Sequence, residues 1–535
     1  MRAGHVTMGG MTVTGASGTE GADEFDVIVV GGGPVGENAA DRASRTGLTV
    51  ALVEAELVGG ECSYWACIPS KTLLRPGAAL AAAAAVPGLS AQVEGLAVDP
   101  GPVLAWRDRM TSGWDDAGQV GWLDSVGVTL VRGHGRLAGE RLVEVDPPDD
   151  PSRDDTAAGA PGSDHAAPRR LRARHAVVVA TGSVPAQPDV PGLAGALPWS
   201  SREATSASAV PESLVVLGGG VVGSEMATAY ADLGSHVTLL ARHGLLSGAE
   251  DFAGEAVEAG LRTIGVDVLT GVSVRAVERP EPGGPVTVRF DGGGSGDGGA
   301  VTAAELLVAT GRVARTADVG VETVGLEPGR PLAVDDTMAV VGVEPGDRAP
   351  WLYACGDVTG RHQTTHQGKY QGRVVGDVIA ARFGDARREG APTRDDAVPA
   401  PGAEPRRWSR YAASADDAAA SQVVFTRPQV AWVGLTERAA AARGLDVRTV
   451  RYELGDVSGG SVTAVGYRGT GQLVVDTRRR VVVGATFVGP DAGELLHAAT
   501  IAVVGEVPLD RLWHAVPAYP TVSEVWLRFL EAYGL

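Results

Sequence analysis

Short runs of apolar, mostly β-branched residues recur along this chain, and several run straight into glycine. Asp26–Gly36 reads DVIVVGGGPVG and Leu214–Gly223 reads LVVLGGGVVG. Each pattern predicts a buried strand, a glycine turn and the start of a helix. A second strand follows each, at Leu48–Glu54 and His236–Ala241. AVVVATGS at Ala176–Ser183 is echoed by ELLVATGR at Glu305–Arg312. Strands alternating with helices predict an α/β fold, and the internal repeat predicts two dinucleotide-binding units.

After about Gln422 the texture changes. Gln472–Asp476 and Val481–Val488 alternate as strands, and a helix is predicted near Glu494–Val504, which together indicate a separate α+β domain. Four stretches read as tail, linker or surface loop: the segment before Asp23, Pro147–Arg170, Asp291–Gly299 and Asp385–Ala420. The first 23 residues lack the basic and then apolar order of a secretory leader, and Met8 or Met11 could be the true start. No segment reaches the roughly 18 to 20 uninterrupted apolar residues of a membrane span. Ala78–Val86, the longest bland run, predicts part of a helix.

The 535 residues allow three or four domains at about 150 residues each. The balance of 46 basic against 65 acidic residues gives −19, which argues against nucleic acid or an anionic membrane as partner. Three cysteines cannot build a disulfide framework, so a redox role would rest on one pair, and a cytoplasmic location is expected. Only two of the basic residues are lysines, Lys71 and Lys369. A lysine that survives such a bias invites a role that arginine cannot fill.

The glycine loops have a geometric logic. Gly31 allows the tight turn, Gly33 lets backbone approach a pyrophosphate, and Gly36 lets the helix pack on the strand with its N-terminus toward the phosphates. Glu54, 18 residues after Gly36, ends the next strand where a carboxylate would accept from ribose hydroxyls. Gly218, Gly220 and Gly223 repeat the loop, but Ala241 stands where Glu54 stands in the first unit, followed by Arg242 and His243. A carboxylate would repel a 2′-phosphate and a guanidinium would bind it, so NADPH is expected over NADH. The alternative is that Arg242 is a solvated loop charge and both nucleotides are accepted.

Gly59–Lys71 reads GGECSYWACIPSK. Five residues along a regular helix would hold the Cys62 and Cys67 Cα atoms about 8 to 9 Å apart, too far for a disulfide. A bond between them requires a loop or a distorted first turn at Cys62, for which Gly59 and Gly60 supply the freedom. A cysteine at a helix N-terminus has a lowered pKa, and the thiolate is the nucleophile. Two buried free cysteines in a core are the plainer reading.

With CIPSK, both glycine loops, both ATG turns, YACGD at Tyr353–Asp357 and VFTRPQVAWVG at Val424–Gly434, the chain resembles the class I flavoprotein disulfide reductases, the family of dihydrolipoamide dehydrogenase, glutathione reductase and mercuric reductase. The resemblance runs from about Asp23 to the C-terminus. It implies a homodimer, with FAD on the first unit, a nicotinamide nucleotide on the second and a C-terminal interface domain. The implied division is a disordered tail (1–23), the FAD domain in two parts (24–200 and 326–385), an NAD(P) domain (201–325), a linker (386–420) and a dimerisation domain (421–535).

Gly31, Gly33, Gly36, Glu54, Lys71, Gly135, Thr181 and Gly182 match the family's FAD positions. Asp357 matches the residue that holds the ribitol, and Thr365 opens a helix facing the flavin. Gly218, Gly220, Gly223, Arg242, His243 and Gly311 fall on the nicotinamide side. Lys71 and Glu225 match an ion pair near flavin N5. Cys67 is implied as the thiol against the flavin and Cys62 as the one that meets substrate. Lys369 is expected in a solvated or interface role, and Cys355, in the apolar WLYAC run, in packing.

The pattern breaks near the C-terminus, in HAVPAYPTVSE. Tyr519 stands where the family has a histidine acid/base, and Glu524 then has no imidazole to orient. A phenol of reference pKa near 10 is a feeble base at neutral pH. His514 is a poor substitute, and Val221 replaces the gating aromatic that some members carry in the second loop. With no cysteine after Cys355, efficient Hg(II) reduction is not expected. The leading expectation is an NAD(P)H-dependent FAD oxidoreductase with a redox-active Cys62–Cys67 disulfide. The alternatives are a quinone or diaphorase-type reductase whose cysteine pair is vestigial or regulatory, and a flavin-bearing redox sensor. The acceptor would be a small disulfide or a quinone-like molecule.

Overall fold

The computed structural model describes residues 22–148, 167–293, 298–344, 349–385, 398–400 and 402–535. Most of the expected tail therefore lies outside the described residues, as do residues 149–166, 294–297, 386–397 and 401 within the expected linkers. Ala22 and Asp23, assigned to the tail, already belong to the first strand.

The apolar runs become parallel strands because β-branched residues fill a sheet covered on both faces. Val128–Arg132, Val50–Glu54, Ala22–Val30 and Arg169–Val179 lie side by side, all parallel. Val27, Ile28 and Val29 are fully buried between the two faces. Leu352–Ala354 joins this sheet beside Val177–Val179, so a segment from late in the chain completes the first unit. The second unit repeats the plan with Asp267–Thr270, His236–Ala241, Ser213–Leu217 and Glu305–Val308, also parallel. The C-terminal part is a five-stranded antiparallel sheet, with Gln429–Gly434, Val481–Gly489 and Thr470–Asp476 at its centre. Helices Ala492–Val504 and Val525–Tyr533 supply side chains to its core. The whole is α/β, with two Rossmann-like units and an α+β domain. No helix among the described residues is long and apolar enough to cross a membrane.

Part of the expected 386–420 linker is packed structure. Tyr411, Ala412 and Ala413 are buried, and Ser414–Ala418 is a short helix. Asp416 accepts from Gln367 Nε2 at 2.6 Å and Gln371 Nε2 at 2.8 Å. A composition rich in Pro, Ala and Asp looks like linker because such a segment carries little apolar surface, yet here polar side chains tie it down.

Two helices fix the centre of the molecule: the loop helix Pro34–Ser44, which follows the first glycine turn, and the long helix Thr365–Phe383. Gly368, Gly372 and Gly376 line their contact, so the backbones approach closely. Asp377 closes the far end of the contact, accepting from Arg42 Nε at 2.7 Å and Arg410 Nη2 at 2.9 Å. A Cβ on Gly372 would stand 2.6 Å from the Val35 carbonyl oxygen and 3.2 Å from Asn38 Cβ. Gly372→Ala must therefore push the helices apart, with an expected loss of about 1–3 kcal/mol. Because Val35 follows Gly33 and Pro34 directly, FAD retention on dialysis should weaken along with Tm. A variant with lowered Tm and full flavin content would uncouple the helix contact from the loop.

Candidate active site

The first glycine loop heads an open cleft. Gly31, Gly33, Glu54, Gly135, Thr181, Gly182, Asp357 and Thr365 all line it, together with Cys62. Gly36 lies behind the loop, where a Cβ would collide with the Gly31 carbonyl. Gly33 caps the loop helix, and nothing lies within 4 Å of the place its Cβ would take. The loop is thus open on the side where a helix N-terminus accepts an anion. Glu54 accepts from Gly32 N at 2.6 Å and Glu56 N at 2.8 Å. Burial raises its pKa, and those two N–H groups oppose the rise. The residues present fit a dinucleotide: an open backbone cradle, a carboxylate at the end of the second strand, and a second carboxylate, Asp357, further along the cleft.

Several residues of the cleft escaped the sequence. Ser183 Oγ donates to Asp357 Oδ2 at 2.6 Å, and Arg312 Nε donates to Ser183 Oγ at 2.7 Å. Burial raises the Asp357 pKa, against the Ser183 hydrogen bond and the Arg312 charge. Ser183 and Arg312 end the two ATG echoes, so a signal for them was present. Arg202 carries none. It bonds Glu61 at 2.6 Å and Glu56 at 2.5 Å, and its guanidinium stacks 4.1 Å over the Trp65 ring.

The second loop superposes the same logic on different chemistry. A Cβ on Gly32 would stand 3.0 Å from Glu54 Cβ, and one on Gly219 would stand 3.0 Å from Ala241 Cβ. Ala241 therefore occupies the structural place of Glu54. Arg242 and His243 follow it, both exposed, while Gly220 caps the helix Val221–Asp232 and Gly218 turns beneath it, its Cβ position blocked by the Ala309 carbonyl. Gly223 packs against the Gly218 carbonyl, and Gly311 ends the neighbouring ATG turn.

Between the two units stands the cysteine pair. Cys62 lies in the short helix Gly60–Tyr64 and Cys67 begins the redox helix Cys67–Ala84. The break expected at Cys62 falls instead at Trp65 and Ala66, whose φ of −137° and −135° interrupt the helical path. Gly59 takes φ 108°, a value that suits glycine, and turns the chain into the block. Both sulfurs are free thiols here, and a Cys62 hydrogen bond pulls Cys67 down to about 6. Burial opposes that shift, while Thr365 Oγ1, 3.2 Å from Cys67 Sγ, and the Lys71 charge assist it. The same contact with Cys67, with burial added, raises Cys62. The two shifts run in opposite directions, with the lowered sulfur at the helix N-terminus.

Lys71 Nζ donates to Glu225 Oε2 at 2.7 Å, and Glu225 Oε1 accepts from Phe425 N at 3.0 Å. The Lys71 ammonium also sits 5.1 Å from the Phe425 ring centroid. This pair joins the redox helix, the second unit and the C-terminal domain at one point. Lys369, expected to be solvated or at an interface, is half-buried, and its charge acts on Cys62 and on Glu37 of the loop helix. Cys355 is fully buried, and burial pushes its thiol up to about 12.

Tyr519 is not gathered into the cleft by its own chain; it is 75% exposed on the C-terminal domain. His514 is exposed as well. Glu524 is buried, and its Oε1 accepts from Arg528 Nη2 at 2.5 Å, while Oε2 is buried without a partner.

Two dinucleotide loops with a cysteine pair between them are the layout of a flavoprotein that draws reducing equivalents from a nicotinamide nucleotide. The chain belongs to the pyridine nucleotide-disulphide oxidoreductase family, which matches residues 25–372, with that family's dimerisation domain matching residues 420–528. It is accordingly an FAD-dependent enzyme of that class. It is 29% identical to a dihydrolipoyl dehydrogenase of Rhizobium etli over 96% of this chain and 99% of the relative. A dihydrolipoyl dehydrogenase of Thermus scotoductus is 30% identical, covering 95% and 97%. A mercuric reductase of Staphylococcus aureus is 27% identical, covering 94% and 81%. In fold the chain is similar to the HOCl-induced flavoprotein disulfide reductase RclA from Escherichia coli, solved as a Cu(II) complex, with a TM-score of 0.72 at 21% identity over 95% of this chain and 99% of that one.

Glu37 gives this site a measurable signature. Burial raises its carboxyl to about 7, and nearby Glu54 adds to the rise while Lys369 opposes it. A raised folded pKa means that the stability from protonation is fully present below the ordinary value of 4.5 and is lost as pH rises through about 7. Glu37→Gln removes that loss. Its Tm relative to the unaltered protein should rise between those two pH values and then level off, whereas a difference independent of pH would contradict the burial of a charged Glu37.

Proposed function

We infer that this protein is an NADPH-dependent flavoprotein reductase that works through Cys62 and Cys67 on a small disulfide acceptor. The observation that carries the reading is the place of the pair: Cys67 opens the redox helix with Thr365 Oγ1 3.2 Å from its sulfur, next to a Cys62 that lines the cleft. Bound in this cleft, FAD would supply two-electron chemistry between a nicotinamide nucleotide and the cysteines. Gly31, Gly33, Glu54 and Asp357 would hold that cofactor, and Gly218, Gly220, Gly223 and Arg242 the nicotinamide nucleotide. Lys71, fixed by Glu225, keeps a positive charge beside the place where negative charge gathers on reduction. Cys67 would face the flavin and Cys62 the acceptor.

The preference for NADPH rests on Ala241, which brings no carboxylate, and on Arg242 beside it. Arg242→Ala should raise KM for NADPH about tenfold while leaving NADH little changed, the size of one charge-assisted hydrogen bond. A homodimer belongs to the same reading, supported by the dimerisation-domain match and by Val462, Val465, Val516 and Tyr519 exposed on that domain. So does a cytoplasmic location, where reduced nicotinamide nucleotide is available.

The second reading, a reductase of quinones or similar acceptors, is favoured by Tyr519 alone. A disulfide acceptor leaves as thiolate and benefits from a proton donor with a pKa near 7, which a phenol is not. Anaerobic titration with NADPH separates the readings. A working pair consumes about two NADPH per site, one for the flavin and one for the disulfide, and develops long-wavelength absorbance from the neighbouring thiolate, and Cys62→Ser then loses disulfide turnover. Saturation after about one equivalent would leave the quinone reading standing. Tyr519→His, placed on the domain that buries Glu524 with one oxygen unpartnered, should raise turnover of lipoamide-type disulfides in the first case and leave it unchanged in the second.

A further inference from the structure

The long helix Thr365–Phe383 presents more than Thr365 to the cysteines. Residues four apart on a helix share a face, so Lys369 stands one turn beyond Thr365, whose Oγ1 lies 3.2 Å from Cys67 Sγ. The loop helix packs against the same stretch: a Cβ on Gly368 would stand 2.6 Å from Val35 Cγ2, two residues before Glu37. Lys369 therefore lies in the angle between the cysteine block and the loop helix. Its charge acts on the Cys62 thiol and on the Glu37 carboxyl. Lys369 makes no hydrogen bond or contact ion pair among the described residues, and Glu37 Oε1 is buried without a hydrogen-bond partner. Neither group is committed to holding the fold together.

Cys62 shares the cleft lining with Glu54, Glu56, His134, Arg202, Arg312, Arg315 and Asp357, and Glu61 precedes it in the short helix, paired with Arg202. Cys67 faces it from the redox helix, and Thr365 and Lys369 face it from the long helix. The Lys369 charge also acts on Glu37 of the loop helix. Lys71 and Glu225 act on Cys67 instead. The Lys369 charge acts on Cys62, whereas Arg202 in the same cleft is paired with Glu56 and Glu61 and Arg312 bonds Ser183, in a chain that otherwise spends its positive charge almost wholly on arginine. A compact ammonium on a flexible stem can follow a charge that moves between two sulfurs, which a rigid guanidinium fork does less well.

We propose that Lys369 supplies, from within the same chain, the positive charge that stabilises the Cys62 thiolate, and that Glu37 is the counter-charge that moderates it. This rests on the reading that the cysteine pair turns over. In such a turnover Cys62 loses its proton and its thiolate attacks one sulfur of the acceptor. A mixed disulfide forms, and the first acceptor sulfur leaves as thiolate and takes up that proton. The Cys67 thiolate then attacks Cys62, the Cys62–Cys67 disulfide closes, and the second acceptor thiolate leaves and is protonated from solvent. Two electrons pass from the pair to the acceptor. The Lys369 ammonium lowers the cost of the Cys62 thiolate by its charge. It is a positioning charge and transfers no proton itself.

The test uses the FAD-loaded full chain, reduced anaerobically with NADPH and alkylated with iodoacetamide from about pH 6 to about pH 10, with mass spectrometry identifying the labelled cysteine. Cys62 should label with a sigmoidal pH profile. Lys369→Met should raise its midpoint by about one pH unit, slowing labelling at neutral pH about tenfold, and Lys369→Arg should restore most of the difference. Glu37→Gln should move the midpoint the other way, because above pH 7 it removes a negative charge behind the ammonium. If Lys369→Met fails to fold, Lys369→Gln carries the same expectation. A Lys369 variant whose profile superimposes on that of the unaltered enzyme overturns the proposal, as does a midpoint that rises or stays fixed in Glu37→Gln. If NADPH uncovers no labelled Cys62 in the unaltered enzyme, the working-disulfide reading itself fails, before any variant is compared.

Discussion

The close contact of two helices through glycine sets the geometry on which the site depends. The loop helix carries the first nucleotide turn at its N-terminus, and the long helix carries Thr365 at its own. Because Gly368, Gly372 and Gly376 have no side chains, the two backbones come near enough for both N-termini to reach the same cleft. Gly33 then opens toward a pyrophosphate while Thr365 stands against Cys67. A larger residue at any of these positions would separate two features that must act on one cofactor. The Arg42–Asp377–Arg410 cluster at the other end fixes the contact along its length.

A second consequence is electrostatic. The two lysines of the chain stand near different members of the cysteine pair, and each has a glutamate within its field. Lys71 acts on Cys67 and is locked to Glu225, whose second oxygen is held by Phe425 N. Lys369 acts on Cys62, with Glu37 near it but not bonded to it. The first pair is bonded and spans three parts of the fold, whereas the second is held by charge alone. On the proposed reading, a fixed field on one sulfur and an adjustable one on the other would distinguish the two cysteines.

Most of the fold was legible because it repeats. Two strand–glycine–helix patterns and two ATG echoes locate both sheets, and the acid that ends one second strand but not the other marks where the two loops differ. The cysteine block was legible as chemistry, though not in its path. The sequence places the distortion at Cys62 through Gly59 and Gly60, whereas the backbone breaks at Trp65 and Ala66, residues with no conformational signature. Ser183 and Arg312 sat in plain view at the ends of the echoes. Arg202 and Glu37 did not, because each matters through partners far away in the chain: Trp65 and Glu61 for the first, Lys369 for the second. The 386–420 segment misled for a related reason, since Asp416 is held by Gln367 and Gln371 and not by apolar burial that composition would reveal.

Tyr519 shows why motif loss and loss of function are separate questions. In the resembling enzymes an imidazole serves two ends at once, positive charge for a nascent thiolate and a proton for a leaving one. A phenol offers neither at neutral pH, yet the two ends need not be met by one group. Charge can come from any cation fixed near the sulfur, and a proton can come from water if the leaving thiolate is sufficiently acidic. On the proposal above, Lys369 would meet the first requirement inside the chain that holds Cys62, without a second subunit to bring it. What such a site gives up is protonation of a poor leaving group. On that proposal, acceptors whose thiolates leave readily, or that take up electrons without expelling a thiolate, would be the chemistry to which this arrangement is matched.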